Sequence, residues 1–273
     1  MRWVDLRQPP VDGRSPLNHA EFGPDGRWFV TSGEDGIARV WDTRTHRELH
    51  TLRHGAHISS MAVDPQGRRI ATIGYDVVLV GENVVPVRIW DAESGSELPP
   101  LEGAITGNSL QFSRAGDRLL AASRAGIHVW DTRSGRLLVR TRALRGALPV
   151  AVFDPTRRLI ASADGSETVT IWDAQTGEPL HELKHDSAVG TVCFTETGEE
   201  VVTGGKDGRV SIWSVKSGAL RMRLGDPADP LFGGVDSLGG VGSLAINPRA
   251  PQVVAGTGGG MLAAWDLQSG ALL

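Results

Sequence analysis

The sequence predicts an all-β fold of six repeated units, each a four-stranded antiparallel sheet, and three observations carry that reading. The first is a ruler of tryptophans. Six of the eight end a short apolar run and precede a polar residue: Trp41, Trp90, Trp130, Trp172, Trp213 and Trp265. Their spacings are 49, 40, 42, 41 and 52 residues, so three match a repeat of about 40–45 residues and two imply insertions. The second is a corner upstream of each tryptophan: Phe22-Gly23-Pro24-Asp25-Gly26, Val63-Asp64-Pro65-Gln66-Gly67 and Phe153-Asp154-Pro155, with weaker copies after Phe112, Phe194 and Ile246. Proline cannot donate to a ladder and glycine accepts a positive φ, so the chain turns there. The third is that the runs between these landmarks alternate with a period of two and show no helical periodicity.

Within a unit the elements follow in a fixed order. An alternating strand runs into the corner, and a strand of small residues follows, as in Phe29–Gly33 or Val201–Gly205. An Asp-Gly turn, Asp35-Gly36 or Asp207-Gly208, leads into the tryptophan strand. Beyond a Ser/Thr-Gly corner lies a fourth run: Glu48–Leu52, Arg136–Val139, Glu178–Leu183 or Ala219–Leu224. One such sheet cannot bury both of its faces alone, so neighbouring units must supply the core, which is the logic of a β-propeller. A β-solenoid would need coils shorter than 40 residues. The expected blades are 11–53, 54–102, 103–142, 143–184, 185–225 and 237–273. Residues 1–10, through Trp3-Val4-Asp5-Leu6-Arg7, are read as a ring-closing strand. Two readings of the ring stand: six blades complete, or an incomplete ring of seven.

Composition narrows the function classes. A net charge of −4 and a pI near 6.1 argue against a nucleic-acid partner, which needs a basic face; the five arginines from Arg133 to Arg145 are offset elsewhere. The single Cys193 allows no intramolecular disulfide and sits in an alternating run as a small core-lining residue. No stretch approaches 18 apolar residues and the first residues hold no apolar segment of signal type, so a cytoplasmic protein without membrane contact is expected. Gly256–Gly260 lacks the lysine and helix of a phosphate loop, and the eight histidines show no metal-ligand spacing, so neither cofactor nor metal is expected.

The tryptophan strands, corners and Asp-Gly turns resemble those of the WD-repeat (WD-40 type) family, and the resemblance covers nearly the whole chain. It implies a propeller, a polar tetrad of His, Ser/Thr, Asp and Trp within a blade, and protein partners. The second repeat matches the tetrad as His54, Thr72, Asp76 and Trp90, and the fifth as His185, Thr203, Asp207 and Trp213. The first has Thr31, Asp35 and Trp41, with Gly13 in the histidine's place. The third, fourth and sixth lack the full set. A His, an Asp and a hydroxyl together could be read as a hydrolase triad, but the trio recurs in separate repeats, whereas a catalytic constellation converges on one place. The expected role is structural: satisfying buried polar groups.

The two long spacings locate the candidate partner-binding residues. The second repeat inserts Val77–Pro86, two apolar runs about a Gly-Glu-Asn turn, read as a projecting hairpin that offers Leu79, Val80, Glu82, Asn83 and Val84. The segment 225–240 before the sixth repeat reads as a loop offering Leu231 and Phe232. In a WD-like blade both connections open on one face, so one rim is expected to carry both. The leading function is a non-catalytic protein–protein interaction scaffold. Two alternatives stand beside it: a sensor or regulatory propeller within a larger signalling protein, and an enzyme working from the central channel. The innermost strands offer that enzyme His19, Ser60, Gln111 and Thr191, too neutral for acid–base or metal work. Oligomeric state is open on the sequence.

Overall fold

Short alternating runs broken by glycine corners leave no room for a helix, and the computed structural model contains none among the residues it describes, which are 16–75, 86–144, 146, 149–225 and 240–273. The strands form six antiparallel sheets, each a meander in chain order. The first sheet is β1 (Leu17–Phe22), β2 (Trp28–Gly33), β3 (Ile37–Asp42) and β4 (Glu48–Arg53). The second is β5 (His57–Val63), β6 (Arg69–Tyr75) and β7 (Arg88–Asp91). The third is β8 (Ser109–Phe112), β9 (Arg118–Ser123), β10 (Gly126–Asp131) and β11 (Leu137–Arg140). The fourth is β12 (Val150–Phe153), β13 (Leu159–Ala163), β14 (Thr168–Asp173) and β15 (Pro179–Lys184), and the fifth β16 (Val189–Phe194), β17 (Glu200–Gly205), β18 (Val210–Ser214) and β19 (Leu220–Leu224). The sixth is β20 (Val241–Ile246), β21 (Gln252–Thr257) and β22 (Leu262–Asp266).

The second and sixth sheets thus have three strands among the described residues, where the repeat predicts four. In each, a single bridge marks the fourth position, Trp90 to Glu97 and Trp265 to Leu272. In the second sheet the cause is Pro99-Pro100: neither residue has an N–H, so the ladder cannot extend past Leu98, whose N–H reaches the Ile89 carbonyl at 2.8 Å.

Two compact units divide the chain: Met1–Ala121 with His128–Leu138, and Ala122–Ile127 with Val139–Leu273. The first unit holds the first two sheets and most of the third; the second holds the remainder of the third and the last three. In each unit the core is a set of layers lying between consecutive sheets. Val30, Val40 and Leu52 of the first sheet meet Ile58, Ile70 and Trp90 of the second. Ile73 and Ile89 on the second meet Leu110, Leu119 and Trp130 of the third. In the other unit Val169, Ile171 and Leu183 meet Val192, Val201 and Trp213, and Val202, Val210 and Ile212 meet Val253, Ala255 and Trp265. Each layer therefore belongs to two sheets, and neither sheet could bury it alone.

Two irregularities recur with the repeat. The register slips between the third and fourth strands at the tryptophan, at Val40/Trp41, Ile171/Trp172 and Ile212/Trp213. A bulge there adds local twist beside the indole, which in Trp213 lies in the layer shared with the preceding sheet. At the far edge of four sheets β4, β11, β15 and β19 each expose a basic residue: Arg53, Arg140, Lys184 and Arg223.

Candidate functional site

The polar side chains that the repeat places together are best seen in the fifth sheet. β17 and β18 pair so that Thr203 lies opposite Ser211, and the indole of Trp213 reaches back to the threonine. Trp213 Nε1–H donates to Thr203 Oγ1 at 3.1 Å, and His185 Nε2 lies 2.8 Å from the same oxygen. His185 Nδ1 donates to the Leu183 carbonyl at 2.9 Å, which leaves Nε2 as the bare nitrogen that accepts the threonine proton. A directed chain results, indole to hydroxyl to imidazole to carbonyl. The imidazole also packs on the indole with ring centroids 4.7 Å apart.

The fourth member stands aside. Asp207 Oδ1 accepts the Arg209 backbone N–H at 3.2 Å, and its other oxygen lies 3.9 Å from the Arg209 guanidinium. Its carboxylate acts on His185 through charge alone; the histidine's hydrogen bonds go to Thr203 and Leu183. The physical reason is local. An aspartate that opens an Asp-Gly turn finds a backbone N–H two residues on, at no conformational cost.

In the second sheet Trp90 Nε1–H and His54 Nδ1 both meet Thr72 Oγ1 at 2.9 Å; Asp76 lies outside the described residues. In the first, Trp41 donates to Thr31 Oγ1 at 2.9 Å, while Asp35 accepts the Ile37 N–H at 3.1 Å and pairs with Arg39 at 2.8 Å. The fourth repeat keeps more of the network than its sequence suggests. Trp172 Nε1–H donates to Ser162 Oγ at 2.8 Å, and the guanidinium of Arg142 sits 5.7 Å above the indole ring. The signal for Ser162 is its place ten residues before the tryptophan, as for Thr31 and Thr203. In the third repeat the Trp130 N–H goes to the Glu102 carbonyl at 2.7 Å, and His128 stacks on its ring.

Burial governs the titration of these groups. It pushes His54 down to about 4, with the Arg88 charge acting the same way. His185 is lowered too, by burial first, against hydrogen bonding and the Asp207 charge, which favour protonation. Both shifts favour the neutral imidazole, the form that the acceptor role of His185 Nε2 requires. Cys193 is pushed up to about 12 by burial, far from the range of a nucleophilic thiolate.

A second recurring device follows the tryptophan. Asp42, Asp91, Asp131, Asp173 and Asp266 each turn Oδ1 onto the backbone N–H and the hydroxyl of a Ser or Thr three residues on, at 2.6–3.2 Å. These bonds hold each carboxyl below its usual value of 3.8. The fifth repeat has Ser214 in that place.

The loops have a side. The β2–β3 turn meets the connection into β5, through His54 N–H on the Gly36 carbonyl at 2.9 Å. The β9–β10 turn meets the connection into β12, through Leu144 and Arg124 at 3.1 Å, and the β13–β14 turn meets the connection into β16, through His185 and Glu167 at 2.8 Å. Val77–Pro86 belongs to the first kind of loop, between β6 and β7, and 225–240 to the second, between β19 and β20. Leu79, Val80, Glu82, Asn83, Val84, Leu231 and Phe232 lie outside the described residues, as do Trp3 to Arg7.

Comparison with known proteins adds to this geometry. The profile of the WD domain, G-beta repeat, matches residues 11–42 and 177–214. Over 80% of its length the chain is 23% identical to the Periodic tryptophan protein 2 homolog of Dictyostelium discoideum. It is 23% identical to the Apoptotic protease-activating factor 1 of Rattus norvegicus over 95% of its length, and 28% identical to the human Echinoderm microtubule-associated protein-like 2 over 68%. It spans only 24%, 17% and 30% of those three proteins.

Proposed function

We propose, from the match of residues 11–42 and 177–214 to the WD repeat, that this chain is a non-catalytic scaffold that offers loops to a protein partner. The observation that carries the reading is the fate of the His and Thr side chains that the repeat places together among the described residues. His54, Thr72, His185 and Thr203 recur at equivalent places in separate sheets, where Thr72, His185 and Thr203 are taken up in hydrogen bonds and His54 gives Nδ1 to Thr72 with its Nε2 sealed in the core. A nucleophile or base must reach substrate, and His54, Thr72 and Thr203 are buried. What varies between repeats is the length of the β6–β7 and β19–β20 connections, into which the sequence inserts Val77–Pro86 and 225–240 with their apolar residues. Cytoplasmic residence and a partner gripped by Leu79, Val80, Glu82, Asn83, Val84, Leu231 or Phe232 belong to the same proposal.

A second reading, a regulatory module of a larger signalling protein, is favoured by the small share of its relatives that the chain spans. The two are compatible, since a module of this kind acts by binding.

The test compares the chain with a variant in which Val77–Pro86 is replaced by a short Gly-Asn turn, both shown to be folded by their urea midpoints. A partner captured by the parent and lost by the variant supports loop-borne binding. Equal capture by both sends the search to 225–240 and the other loops of that side. A turnover assay in which the chain consumes a substrate would sink the reading.

A further inference from the structure

Two equivalent places in adjacent repeats differ in a way that neither the repeat nor the scaffold reading explains. Shifting the fourth sheet by 41 residues, the spacing from Trp172 to Trp213, superposes its sequence on the fifth. In the fifth sheet the pocket beside the tryptophan is closed, with a volume of about 10 Å³. His185 fills its floor; Arg209 and Arg223 reach across it to Asp186 at 3.8 and 2.7 Å. In the fourth sheet the counterparts of His185, Gly205, Asp207, Arg209, Ser211 and Arg223 line a cleft of about 780 Å³. The substitutions account for the difference. Leu144 stands where His185 stands, and Thr168 and Glu182 replace the two bridging arginines. Ser166 and Thr170 match Asp207 and Ser211.

The charges change as well. Arg209 and Arg223 give way to Thr168 and Glu182 and Asp164 enters where the fifth sheet has Gly205, while Asp186 and Asp207 give way to Arg145 and Ser166, a net change of −1 over these positions. Asp164 is buried, 8% exposed, and its carboxylate is engaged by the Gly146 and Ser166 N–H groups at 3.0 Å each, so the carboxylates offered to the cleft are those of Glu182 and Glu167. One cation is already present and shows what the cleft favours. The Arg142 guanidinium lies over the Trp172 ring at 5.7 Å and donates to Glu182 Oε1 at 2.6 Å. Both side chains of that pair are about half exposed, 58% and 49%, so water competes for it and it holds Arg142 weakly. Planar stacking on an indole with a forked bond to a carboxylate is the recognition chemistry of a guanidinium.

We propose that the cleft of the fourth sheet is a binding site for an arginine side chain of a protein partner, with Arg142 as the internal stand-in that the incoming guanidinium displaces. The biological partner rests on the scaffold reading; the site itself does not, and the test below leaves the loop experiment untouched. Chain labelled with fluorotryptophan is followed by fluorine NMR, the Trp172 resonance being assigned with Trp172→Phe. The probe is N-acetylarginine amide, with N-acetylcitrulline amide as its neutral isostere. The expected result is a saturable shift of the Trp172 resonance with the arginine probe, at a Kd of about 1–10 mM, and little shift with citrulline. Arg142→Ala is expected to tighten binding about threefold or more by removing the competitor, and Glu182→Gln to weaken it about tenfold. The triple variant Arg145→Asp with Thr168→Arg and Glu182→Arg, which restores the bridging residues of the fifth sheet, is expected to abolish the shift at an unchanged urea midpoint. Equal response to citrulline, weaker binding in Arg142→Ala, or no saturable shift in either the parent or that variant would each overturn the proposal.

Discussion

A single threonine hydroxyl is the junction of the fifth sheet's polar side chains, since Thr203 Oγ1 accepts the indole N–H and gives its own proton to His185. Thr203→Val is nearly isosteric and would strand both a buried N–H and a bare imidazole nitrogen, a loss of about 1–3 kcal/mol. Asp207→Ala removes one turn bond and a long ion pair at 3.9 Å, and should cost less than about 1 kcal/mol. Urea midpoints rank the two; an equal or greater cost for Asp207→Ala would mean that the carboxylate holds the ring after all. The residue types of this cluster were legible in the sequence, because spacing alone aligns Thr31, Thr203 and their tryptophans. Which atom meets which was not. An imidazole can present either nitrogen, and here His54 uses Nδ1 where His185 uses Nε2.

At the scale of the element, the aspartate corners and the glycines that close them set the behaviour of every sheet. Five corner carboxyls titrate below 3.8 in the fold, so they add stability above that pH and lose it as pH falls through their lower folded values. His54 acts in the same direction in a higher window. It stays neutral in the fold down to about 4 but is protonated in the unfolded chain below 6.5, so unfolding takes up a proton between those values. That contribution is fully present above 6.5 and declines by at most about 3 kcal/mol toward pH 4. The urea midpoint should therefore drop between about pH 7.5 and about pH 5, and His54→Gln should flatten the drop. A parent midpoint that does not move over that range would contradict the burial of a neutral imidazole. The corner's last residue offers a second expectation. Gly95, Gly135, Gly177, Gly218 and Gly270 occupy it with φ of 67–77°, but the first repeat has His46 at φ 57°. A side chain in that left-handed region is strained, so His46→Gly should raise the unfolding free energy by about 1 kcal/mol, and Gly177→Ala should lower it by a similar amount, both read from urea denaturation. The sequence showed these corners as a polar residue and a glycine after every repeat tryptophan except Trp41. The carboxylate's grip on the hydroxyl three residues on appears only once the turn is folded.

For the molecule as a whole, the architecture was legible and the loops were not, for one physical reason. Layers shared by consecutive sheets demand apolar residues at fixed positions, and that demand writes a period of about 40 residues into the chain. Nothing comparable constrains Val77–Pro86 or 225–240, so their sequences say that something was inserted but not how it is used. The short fourth strand of the second sheet was hidden differently: Pro99-Pro100 follows a run that otherwise reads as complete. Because the layers are separate, damage to one should leave the next intact. Ile171→Ala, between the fourth and fifth sheets, and Ile212→Ala, between the fifth and sixth, should each cost about 2–5 kcal/mol. The double variant should sum them within about 0.5 kcal/mol in urea denaturation, and a large departure would mean one core and not two. The basic residues at the far edges bear on a different matter, the fate of the protein in concentrated solution. An unpaired strand edge is a template on which another chain can add, about 4.8 Å away. With Arg53, Arg140, Lys184 and Arg223 exposed along those edges, such an arrival would set cation against cation. Sheets that stop at their own borders in this way cannot easily grow into filaments.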